Sequence, residues 1–393
     1  MRTLWRNWPS INFWRTSFFY LFTIGVPFAI FSWHLGSQTV GLSTAEVSAR
    51  TGAKLINIFH NPLFAPYKIL ENILFRLSGG HIFALRLTSV IFSLAILVMF
   101  FYVLKIWFGK SIALLTVLLL ALTPIYLVAS RTATPIITYT LPIAFLFAYQ
   151  MLKRNEENRF YWALLVVILA LSFYIPGLIW IYLISSLFWG RNLFGIIKDN
   201  TLALNLGLGA LFVILLSPLI YSFVINSDLL KSWLLIPGSW PQPQAFARDL
   251  AWTFSDLFIR LRAVDSLSVG RLALLNAVQI GLFIFGTYVM WVRLRKQFFW
   301  LNSCLLIIII LSALNHRLAI LMMALPMIAF ICGMGLRYLF VEWRQVFPKN
   351  PLAKGFAIFM MFGIISIHIL YGIRYSLLAW PTTTEVRQSY VLK

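Results

Sequence analysis

Acidic residues are scarce in this chain. Eleven Asp and Glu stand against 32 Lys and Arg in 393 residues, and charged side chains of all kinds make up only 11% of the sequence. Soluble domains carry roughly a quarter charged residues, so this scarcity excludes an ordinary water-soluble fold. Cysteine is equally sparse. Cys304 and Cys332 both fall inside apolar runs without CxxC spacing, which argues against a thiol metal or redox site and reads as two buried thiols. The basic residues are in excess, yet they form no single stripe and no recognisable binding module, so nucleic acid is not the expected partner. Anionic lipid headgroups and lipid phosphates suit such a distribution better. The acids are also absent from the middle of the apolar runs. An ion-coupled transporter needs ionisable groups part-way across the bilayer, and their absence counts against that class.

What the chain has in plenty is apolar sequence, 61% of it, with a mean hydropathy of +0.87. Stretches long enough to cross ~30 Å of hydrocarbon follow one another with short polar breaks. This predicts an all-α polytopic membrane protein, read as one integral membrane domain over residues 1–393. Spans are expected near 16–34, 82–104, 112–129, 136–152, 160–174, 177–189, 201–224, 273–291, 298–313, 319–336 and 355–372, about eleven transmembrane helices in all. The first run is too long and too aromatic for a cleaved leader and is read as a retained helix.

With the N-terminus inside, inner segments carry about twice the basic density of outer ones. The expected location is therefore an integral plasma (inner) membrane, N-terminus cytoplasmic, with the C-terminal tail 373–393 outside. Two long outer loops follow from this arrangement. The first, 35–80, contains a juxtamembrane surface helix near Phe64–Leu77. The second, 225–272, is broken by Pro237, Gly238, Pro241 and Pro243 before a surface helix near Phe246–Leu261. Gly207, Gly209, Gly333 and Gly335 lie within apolar runs and read as close-packing positions between helices.

Chemistry is expected in the first outer loop, which gathers Glu46, Arg50, Lys54, His60, Asn61, Glu71 and Arg76 beside the bilayer. Arg131 closes an apolar run with no acid near it in sequence, and suits either a lipid phosphate or snorkelling to headgroups. Arg86 lies a turn inside the second span, where an unpaired charge is costly. Its expected partner is Glu46, Glu71 or a ligand phosphate. Arg317 sits in a very short turn between two spans and is expected to hold a lipid phosphate.

Three segments carry a family resemblance: "GLSTAEVSAR" at Gly41–Arg50, "HNPLFAPYKILENILFRLSGGHIFALRL" from His60, and "LALTPIYLVASRTATP" up to Pro135. In order and spacing they resemble the N-terminal half of the GT-C superfamily of polyprenyl-phosphate-dependent glycosyltransferases, in the branch of protein O-mannosyltransferases and aminoarabinose transferases. "DLAWTFSDLFIRL", "LNHRLAILMMALPMIAFICGMGLRYL" and "LLAWP" are similar to later segments of bacterial members. Glu46, Pro62 and Leu85-Arg86-Leu87 stand where the family has its acidic motif, its Pro-containing segment and the start of its second membrane helix.

The resemblance implies transfer of a sugar from a polyprenyl-phosphate donor to an acceptor hydroxyl at the outer face, in the cell envelope. It implies Glu46 as catalytic base or metal ligand, and Arg131, Arg317 and Arg86 as donor-phosphate ligands. Asn61, Asp256 and Asp265 are supporting or substitute acceptor-side groups. A divalent metal ion is the one cofactor considered, with Glu46, His60 and His316 as its ligands, although no HxxH or HExxH spacing supports it. The expected partners are the lipid-linked sugar, anionic lipids, and an acceptor glycan, lipid or protein.

Two departures weigh against activity. The family's Asp-Glu pair is Ala45-Glu46 here, and its acid after the third helix is replaced in Arg131-Thr132-Ala133-Thr134-Pro135-Ile136. They keep open a catalytically silent lipid-binding relative; a lipid or small-solute transporter is the third class.

Overall fold

The computed structural model describes residues 21, 24–39, 41–198, 200–263, 267–346 and 351–390. They are helical nearly throughout. Apart from isolated bridge positions at Leu42 and between Arg260 and Leu272, the described residues form no β-structure. Helix α1 covers 24–32. The first loop folds into α2 (Thr44–Gly52), α3 (Leu55–His60) and α4 (Ala65–Leu77). Then come α5 (Ile82–Phe108), α6 (Lys110–Ala121), α7 (Pro124–Arg131), a 3-10 turn at Pro135–Thr140, α8 (Pro142–Arg154), α9 (Arg159–Phe173), α10 (Leu178–Lys198) and α11 (Leu202–Ile225). The second loop supplies α12 (Ser227–Leu234) and α13 (Pro243–Phe258). Helices α14 (Ala277–Arg293), α15 (Arg295–Asn315), α16 (Leu325–Val346), α17 (Pro351–Ile373) and α18 (Thr384–Ser389) complete the chain.

Among the described residues, six segments are long and apolar enough to span a bilayer: Ile82–Phe108, Pro135–Arg154, Leu202–Ile225, Arg295–Asn315, Leu318–Glu342 and Pro351–Thr382. Arg159–Phe173, Leu178–Arg191 and Ala277–Arg293 are shorter apolar helices. The chain is an integral membrane protein of the all-α class. Every expected run meets an apolar helix, although the first is described only in part and several are too short to establish eleven full spans.

The run expected as one helix over 112–129 is broken. Helices α6 and α7 meet at a 68° bend. Pro124 is the first residue of α7, where its missing N–H costs nothing but where it cannot continue the helix before it. The carbonyls freed at the bend are satisfied from the far half of the chain. His368 and Gln279 both reach the Leu119 carbonyl, and Gln279 also donates to the Thr123 hydroxyl at 2.7 Å. Behind the break Gly372 packs so closely that a Cβ there would stand 2.2 Å from the Leu122 carbonyl oxygen.

Glycines also set the packing of α14 along α16. A Cβ on Gly335 would fall 2.3 Å from the Leu282 carbonyl, and one on Gly286 would overlap the Ile331 carbonyl. Gly333 is as tightly placed, against Thr116 and Phe108. Gly207 and Gly209 do not share this role, since a Cβ at either meets nothing within 4 Å. They lie on a face of α11 turned away from the rest of the chain.

The two surface helices fall close to their expected bounds, at α4 and α13. Residues read as a short tail after 373 form further helical turns whose Trp380, Val386 and Tyr390 are buried. The Trp380 and Tyr390 rings meet edge to face at 5.5 Å. Tyr390 itself reaches the start of α5, with the Arg86 guanidinium 5.9 Å over its ring.

Candidate active site and its surroundings

The sequence Ser43-Thr44-Ala45-Glu46 builds a capping box. The Glu46 N–H donates to the Ser43 hydroxyl, and the Ser43 N–H donates to Glu46 Oε2 at 3.1 Å. This turns the carboxylate inward, where Arg86 of α5 meets it side-on, Nε to Oε1 at 3.0 Å and Nη2 to Oε2 at 3.1 Å. The Ala133 N–H completes the set at 2.8 Å from Oε1. Both residues are fully buried. Arg86 spends its remaining donors on the Leu35 and Gly41 carbonyls and the Thr39 hydroxyl. The expected Glu46–Arg86 pair is therefore present, and each oxygen of Glu46 already accepts two hydrogen bonds. That geometry leaves no lone pair directed at an acceptor hydroxyl, and full burial keeps the Arg86 guanidinium away from a phosphate at the surface.

Arg131 is engaged in the same way. Its guanidinium donates to the Ile30 and Trp33 carbonyls at the C-terminal end of α1 and, through Nε, to Gln38 Oε1 at 2.8 Å. It caps a helix end and holds the start of the first loop against α7. Of the three arginines expected to hold phosphate, Arg317 alone is exposed, and it lies within electrostatic reach of the Tyr139 phenol.

Arg317 follows the end of α15, where His316 turns the chain in a left-handed conformation (φ 51°). Beside it Asp249 of α13, buried, accepts from Arg262 at 2.6 Å and stands 3.8 Å from His316. An apolar groove of about 440 Å³ is lined by Trp180, Leu235, Trp240, Phe246, Ile307 and Leu314 among others; Asp249 and Arg317 follow Phe246 of α13 and Leu314 of α15 by three residues in sequence, and no charged side chain lines the groove itself. The proline breaks of the second loop form one wall of it. Asp256 is half-buried and accepts the Arg262 N–H at 2.7 Å; burial raises its pKa. The Arg262 guanidinium goes to Asp249, not to Asp256. Asp265 lies outside the described residues.

The three proposed metal ligands do not assemble. Glu46 is enclosed with Arg86, and His316 stands beside Asp249. His60 Nδ1 contacts the Ile56 carbonyl at 2.8 Å. Among the described residues no three His, Cys, Asp or Glu gather as a metal site.

Two residues of α4 carry more than their sequence positions suggested. Glu71 is fully buried and neither of its oxygens has a hydrogen-bond partner. Burial, reinforced by the nearby Glu46, pushes its carboxyl up to about 8. Lys68, a turn earlier, lines a polar recess of about 490 Å³ between α2, α3 and α4 that also contains His60 and Asn61. Pro66, at the start of α4, fixes the register that puts Lys68 on the recess and Glu71 behind it, which is the only sequence signal for either.

The fold defines the class. Over 95% of its length the chain is similar to ArnT from Cupriavidus metallidurans bound to undecaprenyl phosphate, with a TM-score of 0.55, 14% identity and 76% of that chain covered. The same enzyme in its apo state gives a TM-score of 0.54 at 13% identity, over 96% of this chain and 75% of that one. This is the GT-C fold. Residues 60–222 also match the family of dolichyl-phosphate-mannose-protein mannosyltransferases, a GT-C family. No curated protein matches the sequence.

Proposed function

We propose that the protein is a membrane glycosyltransferase that moves a sugar from a polyprenyl-phosphate donor to an acceptor hydroxyl at the outer face of the plasma membrane, with its N-terminus in the cytoplasm. The observation that carries this reading is the apolar groove walled by α10, α13, α15 and the proline breaks of the second loop. An isoprenoid tail suits a groove walled by Trp180, Leu235 and Phe246, and its phosphate suits Arg317, whose planar fork binds such oxyanions through paired donors.

The framework around Glu46, Arg86 and Arg131 fixes the first loop on the helices beneath it. The proton of the acceptor hydroxyl then passes to a carboxylate with room for it. Asp256 meets that need better than Glu46, because among the described residues its Oδ1 alone is held and burial raises its pKa.

Full-length protein in lipid, offered a panel of polyprenyl-phosphate sugars, tests the reading. Transfer is expected, with Arg317→Gln raising KM for the donor and Asp256→Asn lowering kcat by about 100-fold or more. Glu46→Gln should lose activity only in parallel with loss of folded protein. A second reading, lipid binding without transfer, is favoured by the complete engagement of Glu46 and by Ala45 and Ile136 in place of acids. Tight binding of the lipid carriers without turnover on any of them would select it.

A further inference from the structure

Past α17 the chain builds a further structure at the face that carries the two loops. Helix α17, at 23 residues, is already long enough to cross ~30 Å of hydrocarbon. Beyond it Arg374–Ala379 winds into a π-helical turn, Trp380–Thr382 into a 3-10 turn and Thr384–Ser389 into α18. None of these pieces holds itself together. A π-helical turn is a rare conformation, and a helix of six residues is far below the length that is stable alone. Thr383, at the N-cap of α18, spends its hydroxyl on the Trp380 carbonyl at 3.0 Å instead of on the helix. Docking is what keeps the segment in place, with Tyr375, Trp380, Val386 and Tyr390 all buried.

Its two ends dock on different parts of the molecule. At one end the Val269 N–H, near the close of the second loop, donates to the Tyr375 phenol oxygen at 2.7 Å, and the π-helical turn packs on α7. At the other end the Tyr390 ring is braced by Trp380 and lies under the Arg86 guanidinium, 5.9 Å away. A cation shielded from water gains most from an aromatic face. Arg86 is also the residue that gathers the first loop, through the Leu35 and Gly41 carbonyls, the Thr39 hydroxyl and Glu46. Both outer loops therefore lean on one segment that is ordered only while docked.

We infer that residues 374–390 form a strap that couples the two outer loops. It docks and releases as a unit, so loosening one end loosens the loop at the other. An element with two arrangements, biased from both sides, is the physical link through which distant sites influence each other. A ligand that orders one loop favours the docked strap and with it the ordered form of the other loop, and by linkage the effect is reciprocal. The coupling does not rest on the transferase reading.

Hydrogen exchange of the full chain in phosphatidylcholine nanodiscs, read by mass spectrometry, tests both ends. Tyr390→Ala is expected to speed exchange about tenfold or more in α2 and, at the remote end, at Val269. Tyr390→Phe keeps the ring under Arg86 and should restore protection at both. Tyr375→Phe removes the acceptor for Val269 and is expected to raise exchange in α18 and α2 about fivefold. Helices α14 and α16 report whether the bundle is intact and should not change. Acceleration confined to the mutated end, with Val269 as protected in Tyr390→Ala as in wild type or α2 as protected in Tyr375→Phe, reduces the contacts to separate local packing and overturns the coupling. Unchanged exchange in both loops overturns it as well. If Tyr390→Ala opens the whole bundle, Tyr375→Phe, which removes a single oxygen, decides alone.

Discussion

The Glu46–Arg86 pair concentrates two charges where no water reaches them, and its stability depends on both remaining. Removing one partner strands the other, at a cost of about 3–5 kcal/mol. Arg86→Met is therefore expected to lower the unfolding temperature in detergent sharply, and Glu46→Leu combined with Arg86→Met to recover much of the loss. A double variant no more stable than either single one would argue against this account. Glu71 gives a pH signature of opposite origin. Its folded pKa of about 8 exceeds the ordinary carboxyl value of 4.5, so the folded state holds this proton more tightly than the unfolded chain. Its favourable contribution is complete below pH 4.5 and is lost as pH rises toward 8. Glu71→Gln should flatten the dependence of unfolding temperature on pH across that interval and leave the variant more stable than wild type at pH 8. The pairing of Arg86 was legible as a choice among Glu46, Glu71 and a phosphate, because a charge inside a span needs a partner; that Glu46 takes it and Glu71 is left buried without one depends on the fold.

At the scale of elements, the apolar runs were readable because each helix must satisfy its backbone within the bilayer. Their interruptions were less so. The break between α6 and α7 has a local cause in Pro124, but its angle is held by Gln279, His368 and the close approach of Gly372, all distant in sequence. Glycine spacing alone separated nothing: Gly335 lies against a carbonyl, while Gly209 faces open space. Gly335→Ala and Gly372→Ala are accordingly expected to destabilise the bundle by about 1–3 kcal/mol through overpacking. Gly207→Ala and Gly209→Ala should be neutral or slightly stabilising, since alanine favours the helix by up to about 1 kcal/mol. Thermal unfolding of the four variants in one detergent compares them directly, and a loss at Gly209→Ala equal to that at Gly335→Ala would refute the packing argument.

For the whole molecule, the two outer loops take different forms. The second loop walls an apolar groove, and the first folds into three short helices round a recess. Phe64 at the head of α4 meets Tyr139 of the 3-10 turn edge-on at 5.7 Å, and Arg317 is in electrostatic range of that phenol.

Membrane residence, helical class and the family resemblance follow from the sequence by itself, because hydrophobic length and local capping are properties of neighbouring residues. Which charges are available follows only from the tertiary structure. Arg86, Arg131 and Arg317 look alike in the chain, but two are consumed by carbonyls and a carboxylate brought to them by folding, and one is left exposed. The same long-range packing buries Glu71 and opens the recess at Lys68, since burial and partner choice are set by surfaces that meet only when the bundle has formed.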